Sequence, residues 1–135
     1  MWEKWTFLAT LGAATCLLDG TVGEIHQTDS GKDYLEGVYQ ECKAVATAHL
    51  PKSPLLLDAT HLAQRFQRVL GDPKSIVRAS MARDMQQGNP TEADHILGDM
   101  IQRAKQKGIA TPLLSIAYAR LQIYEKQRQV VVVAS

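Results

Sequence analysis

Disulfide architecture is the first thing this 135-residue chain lacks. It has two cysteines, Cys16 and Cys42, with no C-x-x-C spacing. Both stand in apolar stretches, which excludes a disulfide scaffold and predicts reduced thiols inside a core. Charge of one sign is missing too. Fifteen basic and fourteen acidic side chains leave a formal net charge of +1. That gives no long-range field for gathering nucleic acid or an anionic membrane, so neither is expected as a partner. No two of the nine glycines stand two residues apart. G-x-G-x-x-G and the P-loop are therefore both absent, and with them the common nucleotide cradles. No G-x-S-x-G elbow is present.

Long hydrophobic runs are also lacking. The uncharged stretch Trp5–Leu18 falls short of the roughly 20 apolar residues that span a bilayer. Trp2 and Glu3 make a poor positive leader, and Asp19-Gly20 closes the run without a small-x-small cleavage pattern. The run reads as a buried helix, and an intracellular, cytoplasmic location fits. What is present is a core: 45% of the residues are hydrophobic and 21% charged, in a length suited to one domain.

Glycine and proline punctuate the chain as they do helices. Gly20, Gly71, Gly88 and Gly108 each follow a segment where a helix would end in a left-handed residue, and Pro51, Pro73 and Pro112 stand near such ends. Between these stops the apolar period is close to 3.6. Leu35, Val38, Cys42, Val45 and Ala46 form one stripe; Leu62, Phe66, Val69 and Leu70 mark another. Ala93, Ile96, Leu97, Met100, Ile101 and Ala104 form a third, and Leu113, Leu114, Ala117 and Leu121 a fourth. The first segment is apolar nearly all round, which predicts a central helix. Ser30 with Asp33 suggests an N-cap. Strand-type alternation is not sustained anywhere, and Val130–Val133 reads as part of a frayed tail over 130–135. The expected fold is all-α with about six helices over residues 1–129.

Few constellations could carry chemistry. Glu92 and His95 form an E-x-x-H, but a di-iron centre needs a second such motif, and Asp58 with His61 has the wrong carboxylate. No metal is expected. Asn89-Pro90-Thr91-Glu92 has two readings: a helix start with a capping-box partner, or a first-turn carboxylate that holds a hydroxyl or an ammonium. Lys4 is either a snorkelling lysine at the mouth of an apolar helix or a proton donor perturbed by its surroundings.

Three blocks carry a resemblance: W-E-K-W-T-F-L-A-T-L-G-A-A-T-C-L-L at the start, then S-M-A-R-D-M-Q-Q-G-N-P-T-E-A-D-H-I-L-G, then G-I-A-T-P-L-L-S-I-A-Y-A-R-L. Together they resemble the C-terminal helical domain of ketopantoate reductase (2-dehydropantoate 2-reductase), a fold shared with 6-phosphogluconate dehydrogenase-like proteins. The resemblance implies an NADPH-dependent oxidoreductase that reduces a 2-keto acid to a 2-hydroxy acid, in the service of pantothenate biosynthesis. It assigns Lys4 as the catalytic general acid and Ser80 and Glu92 as substrate-binding residues. The family's NADPH-binding Rossmann domain has no counterpart in this chain, so no cofactor is expected to bind it alone, and the 2-keto acid would be held jointly with such a domain. Where the family commonly carries asparagines, this chain has Leu8, Gly12 and Val77, so its pocket would be more apolar. Removing a Rossmann partner would expose apolar surface around Trp2, Trp5 and the first helix, which implies a homo-oligomer. The competing expectation is a non-catalytic helical domain that self-associates or binds another protein, from a truncated gene.

Overall fold

The first helix is wrapped by nearly all the others, as its all-round apolarity demands. The computed structural model describes residues 2–50 and 61–134. Within them the elements are α1 (Trp2–Leu17), α2 (Val22–His26), α3 (Asp29–His49), α4 (His61–Leu70), α5 (Ser80–Gln87), a π-helical turn (Asp94–Gly98) that runs into α6 (Asp99–Gln106), and α7 (Pro112–Ala134). There is no strand among the described residues, so the fold is all-α as the periodicity predicts. α1 packs against α2, α3, α4, α5, the π turn and α7.

α1 buries Thr6, Thr10 and Thr15 as well as its alanines. Two of these hydroxyls are satisfied within the helix: Thr10 donates to the carbonyl of Thr6 and Thr15 to that of Leu11, each at 2.8 Å. Back-bonding of this kind lets a threonine lie in an apolar interface without an orphaned hydroxyl. α3 runs antiparallel to α1, with His49 stacked on Trp2 at one end and Cys42 beside Thr10 nearer the middle. The main core joins Ala9 and Ala13 of α1 to Val38 and Val45 of α3, Leu97 and Met100 of the helix after Glu92, and Leu114 and Leu121 of α7. A smaller cluster gathers Leu11, Val22, Ile25, Leu35 and Leu70 around α2.

The stripes named from the sequence face inward as expected for α3, for the π turn with α6, and for α7. Phe66 and Leu62 of the α4 stripe have side chains outside the described residues, as do Pro51, Asp58 and the side chain of His61. Several boundaries differ from the reading of the sequence. α2 is too short to show an apolar period, and its start is marked only by the reciprocal capping box of Thr21 and Glu24. The N-cap of α3 is Thr28, whose hydroxyl accepts from Gly31 N–H at 3.1 Å, rather than Ser30. The left-handed residue after α1 is Asp19 (φ 50°), not Gly20, and Gly71 has no positive φ; Gly88 (φ 75°) and Gly108 (φ 67°) are left-handed as expected. Asn89 caps no helix start. Its N–H closes the end of α5 on the Asp84 carbonyl at 2.9 Å, and helical structure resumes only beyond Glu92. α7 is helical through Ala134, so the stretch 130–134 continues the helix instead of leaving it as a tail. Valine's helix penalty is only a few tenths of a kcal/mol per residue, and extending a formed helix needs no new nucleus.

Candidate functional site

Lys4 lies in the first turn of α1, with Leu8 and Gly12 following it along the same i, i+4 row. The turn is anchored from the adjacent position. Trp5 donates its indole N–H to the carbonyl of Ile96 at 2.9 Å, and Ile96 N–H in turn donates to the carbonyl of Glu92 at 2.9 Å. Trp5 also stacks on Trp2, with centroids 4.9 Å apart, and Trp2 stacks on His49 at the same distance. The two tryptophans are thus half-buried in an aromatic stack, not the exposed patch expected from the sequence.

Ser80 opens α5, and the chain leading to it is held against α1. Ala79 N–H donates to Thr15 Oγ1 at 3.1 Å, and the Arg78 guanidinium meets Asp19 at 3.2 Å. One residue on, the Met81 Cε methyl occupies the place where a side chain at Gly12 would begin. The start of α5 therefore crosses α1 at the end of the row that Lys4 begins.

Glu92 lies on an irregular segment that α7 pins from several sides. Glu125 Oε1 accepts from Thr91 N–H at 3.0 Å, while its Oε2 accepts from Arg128 at 3.4 Å. Tyr124 donates to the Asn89 carbonyl at 2.6 Å. Tyr118 donates to Asp94 Oδ1 at 2.6 Å, and that hydrogen bond raises the phenol's pKa. The Tyr118 ring also covers Gly98, so one side chain bridges both ends of the π turn. Any side chain at Gly98 would meet the Tyr118 oxygen at 2.9 Å, which explains the glycine.

Lys4, Ser80 and Glu92 are all exposed, and no hydrogen bond or ion pair joins any two of them. The contacts the fold does make are between neighbours of these residues: the Trp5 indole meets the Ile96 carbonyl, and the Met81 methyl lies over Gly12. Glu92 does not fold back onto Asn89 as the capping reading required. The residues that hold the segments, Trp5, Thr15, Tyr118, Tyr124 and Glu125, escaped the sequence reading because their partners are far along the chain. Thr91 is the exception: a hydroxyl beside Glu92 ahead of an apolar stripe is a local signal, and it accepts from Ala93 N–H at 3.4 Å. Elsewhere His95 pairs with Asp99 at 3.7 Å on the surface, and among the described residues no group of three His, Cys, Asp or Glu side chains could hold a metal ion.

The sequence matches the family described as ketopantoate reductase PanE/ApbA, C terminal, over residues 1–125. The chain belongs to the ketopantoate reductase family. Within that family it corresponds to the all-α C-terminal domain. It is 30% identical over 129 residues to the uncharacterized oxidoreductase YkpB of Bacillus subtilis (strain 168), covering 95% of this chain and 41% of that protein. The fold is similar to that of a PanE/ApbA family ketopantoate reductase from Ralstonia eutropha JMP134, with TM-score 0.76 and 22% identity over 96% of this chain and 41% of the other. It is also similar to a dimeric ketopantoate reductase from Staphylococcus aureus, with TM-score 0.74 and 24% identity over 94% of this chain and 42% of the other. The chain therefore spans about two-fifths of the length of the relatives it matches. No helix among the described residues is long and apolar enough to cross a membrane.

Proposed function

We propose that this chain is the substrate-binding and proton-donating part of a nicotinamide-dependent reductase that converts a 2-keto acid to a 2-hydroxy acid. In that reaction NADPH supplies a hydride to the keto carbon. In this reading a separate Rossmann domain would cradle the nucleotide, in keeping with the lack of a glycine-rich turn in this sequence. Lys4 supplies the proton to the keto oxygen, and its ammonium stabilises the charge that develops there. Ser80 donates a hydrogen bond to the substrate, while Glu92 accepts one and orients Lys4. The observation that carries this reading is the Trp5–Ile96 hydrogen bond at 2.9 Å, which fastens the turn bearing Lys4 to the helix that follows Glu92. The cytoplasm suits the two free buried thiols.

The test is a chimera that places the cofactor domain of a ketopantoate reductase ahead of Trp2, assayed for 2-keto acid-dependent NADPH oxidation. Lys4→Ala should lower kcat by roughly 100-fold or more while nucleotide affinity stays unchanged. A folded chimera whose Lys4→Ala variant is as active as its parent would refute the assignment.

A second reading, self-association, is favoured by a different observation. α7 presents Ile116, Ile123 and Val130 outward at a spacing of seven, with 54%, 54% and 67% of their surface exposed. Seven residues are nearly two helical turns, so the three stand along one face of α7, the face on which a second copy of this chain would pack.

A further inference from the structure

The helix after Glu92 does not begin in the α register. Over Asp94–Gly98 it is a π turn, and Asp99 N–H bonds back five residues to the Asp94 carbonyl. Single π turns inside helices are rare, and they gather at functional sites. Such a turn holds one residue more than α winding allows. Taking it out would rotate everything ahead of it by about 100° about the helix axis.

Tyr118 of α7 grips this turn at its first and last residues. Its hydroxyl donates to Asp94 Oδ1 at 2.6 Å, and its ring lies over Gly98, where an added Cβ would meet the phenol oxygen at 2.9 Å. Asp94 is exposed, so this hydrogen bond, and not burial, fixes where its side chain stands. A return to the α register would turn Asp94 away from a hydroxyl that the ring's seat over Gly98 keeps in place. Two further bonds carry the register outward. Ile96, in the middle of the turn, donates its N–H to the Glu92 carbonyl at 2.9 Å, and its own carbonyl accepts from the Trp5 indole at 2.9 Å. Lys4 is the residue before Trp5. The π turn therefore stands between the Glu92 segment and the first turn of α1, and a change in its winding would move one against the other.

We propose that Tyr118 is a positioning residue for Glu92: by holding Asp94–Gly98 in the π register, it sets the direction in which Glu92 stands relative to Lys4. The inference rests on the proposed 2-keto acid site. Tyr118 acts through Asp94 and Gly98, not on the substrate.

The register is read by NMR on the full 135-residue chain, as the scalar coupling that crosses a hydrogen bond from an amide nitrogen to the accepting carbonyl carbon. In the parent, Asp99 should couple to Asp94. Tyr118→Phe keeps the ring and removes the donor. It should transfer the coupling to His95, the α partner four residues back, with helix content unchanged. Asp94→Ala should do the same from an exposed position, and it decides the question if Tyr118→Phe does not fold. Asp94→Asn retains an acceptor and should keep the parent's register. In the chimera with a cofactor domain, Tyr118→Phe and Asp94→Ala should lower kcat for the 2-keto acid roughly tenfold or more, with the nucleotide KM unchanged. Asp94→Asn should match the parent there too. A coupling that stays on Asp94 in both Tyr118→Phe and Asp94→Ala overturns the proposal. So does a transferred coupling with unchanged kcat. If Glu92→Ala costs an active chimera nothing, or a folded chimera reduces no 2-keto acid, the site reading fails and the positioning role falls with it. The coupling still reports, separately, whether Tyr118 holds the register.

Discussion

Trp5 and Ile96, ninety-one residues apart, are joined by a 2.9 Å hydrogen bond from an indole N–H to a main-chain carbonyl. It ties the opening turn of the central helix to the π turn after Glu92. Trp5→Phe keeps much of the apolar bulk and removes the donor. The expected loss is about 1 kcal/mol in urea unfolding. Amide exchange should also quicken in the first turn of α1 and around Ile96. Unchanged exchange in both places would show that the bond does not fasten the two segments.

Glu41 serves a helix it does not belong to. Its two carboxylate oxygens accept from Leu113 and Leu114 N–H, each at 3.0 Å, at the start of α7. The first N–H groups of a helix have no partners of their own, and a carboxylate there also meets the positive end of the dipole. Glu41→Gln should destabilise the chain by about 1–2 kcal/mol, because one acceptor becomes an NH2 facing an N–H. Glu36→Gln, at an exposed position on the same helix, should change stability by less than about 0.5 kcal/mol. Similar effects for the two substitutions would contradict the capping role.

Burial pushes the thiols of Cys16 and Cys42 from an ordinary value near 9 up to about 12. The folded thiols keep their protons in a range where the unfolded ones lose them. Between pH 9 and 12 the unfolded state binds fewer protons, so this contribution to stability is complete below pH 9 and declines as pH rises towards 12. Each thiol contributes a slope of up to about 1.4 kcal/mol per pH unit, and burial of Tyr34, whose phenol is also pushed up, acts in the same direction. Denaturant midpoints measured between about pH 8 and 11 check this. Cys42→Ser should flatten the decline, and a midpoint independent of pH would contradict it.

No saturable NADPH binding is expected from this chain at micromolar concentrations, since neither a glycine-rich turn nor a strand–helix cradle is present in the described residues. Nucleotide fluorescence titration reads this directly. Stoichiometric binding would reveal a site of another kind.

The outward seam of α7 should drive association of the chain at tens of micromolar, read as a rising weight-average mass in sedimentation. Ile123→Glu places a charge at the seam's midpoint and should return a monomer with unchanged helix content. A wild-type chain that stays monomeric over that range would remove this face as a self-association surface.

The helices' inward faces and the central place of α1 are encoded locally along the chain. Both follow from local periodicity, which a 3.6-residue turn converts directly into a buried stripe, as Val38, Leu97 and Leu121 show. The blocks around Lys4, Ser80 and Glu92 were legible only through their resemblance to a known family, which contiguous residues carry. The tertiary structure decided what no local pattern encodes. Asn89 and Thr28 show that competing cap residues are sorted by which N–H is left unpaired once neighbouring elements pack. Glu41, Glu125 and Trp5 bond to partners 34 to 91 residues away, and only the packed bundle sets those distances. Likewise Gly12 looked like a missing polar contact. Its meaning came from Met81, which crosses it because two helices without a side chain between them can approach closely and fill the gap with a neighbour's methyl.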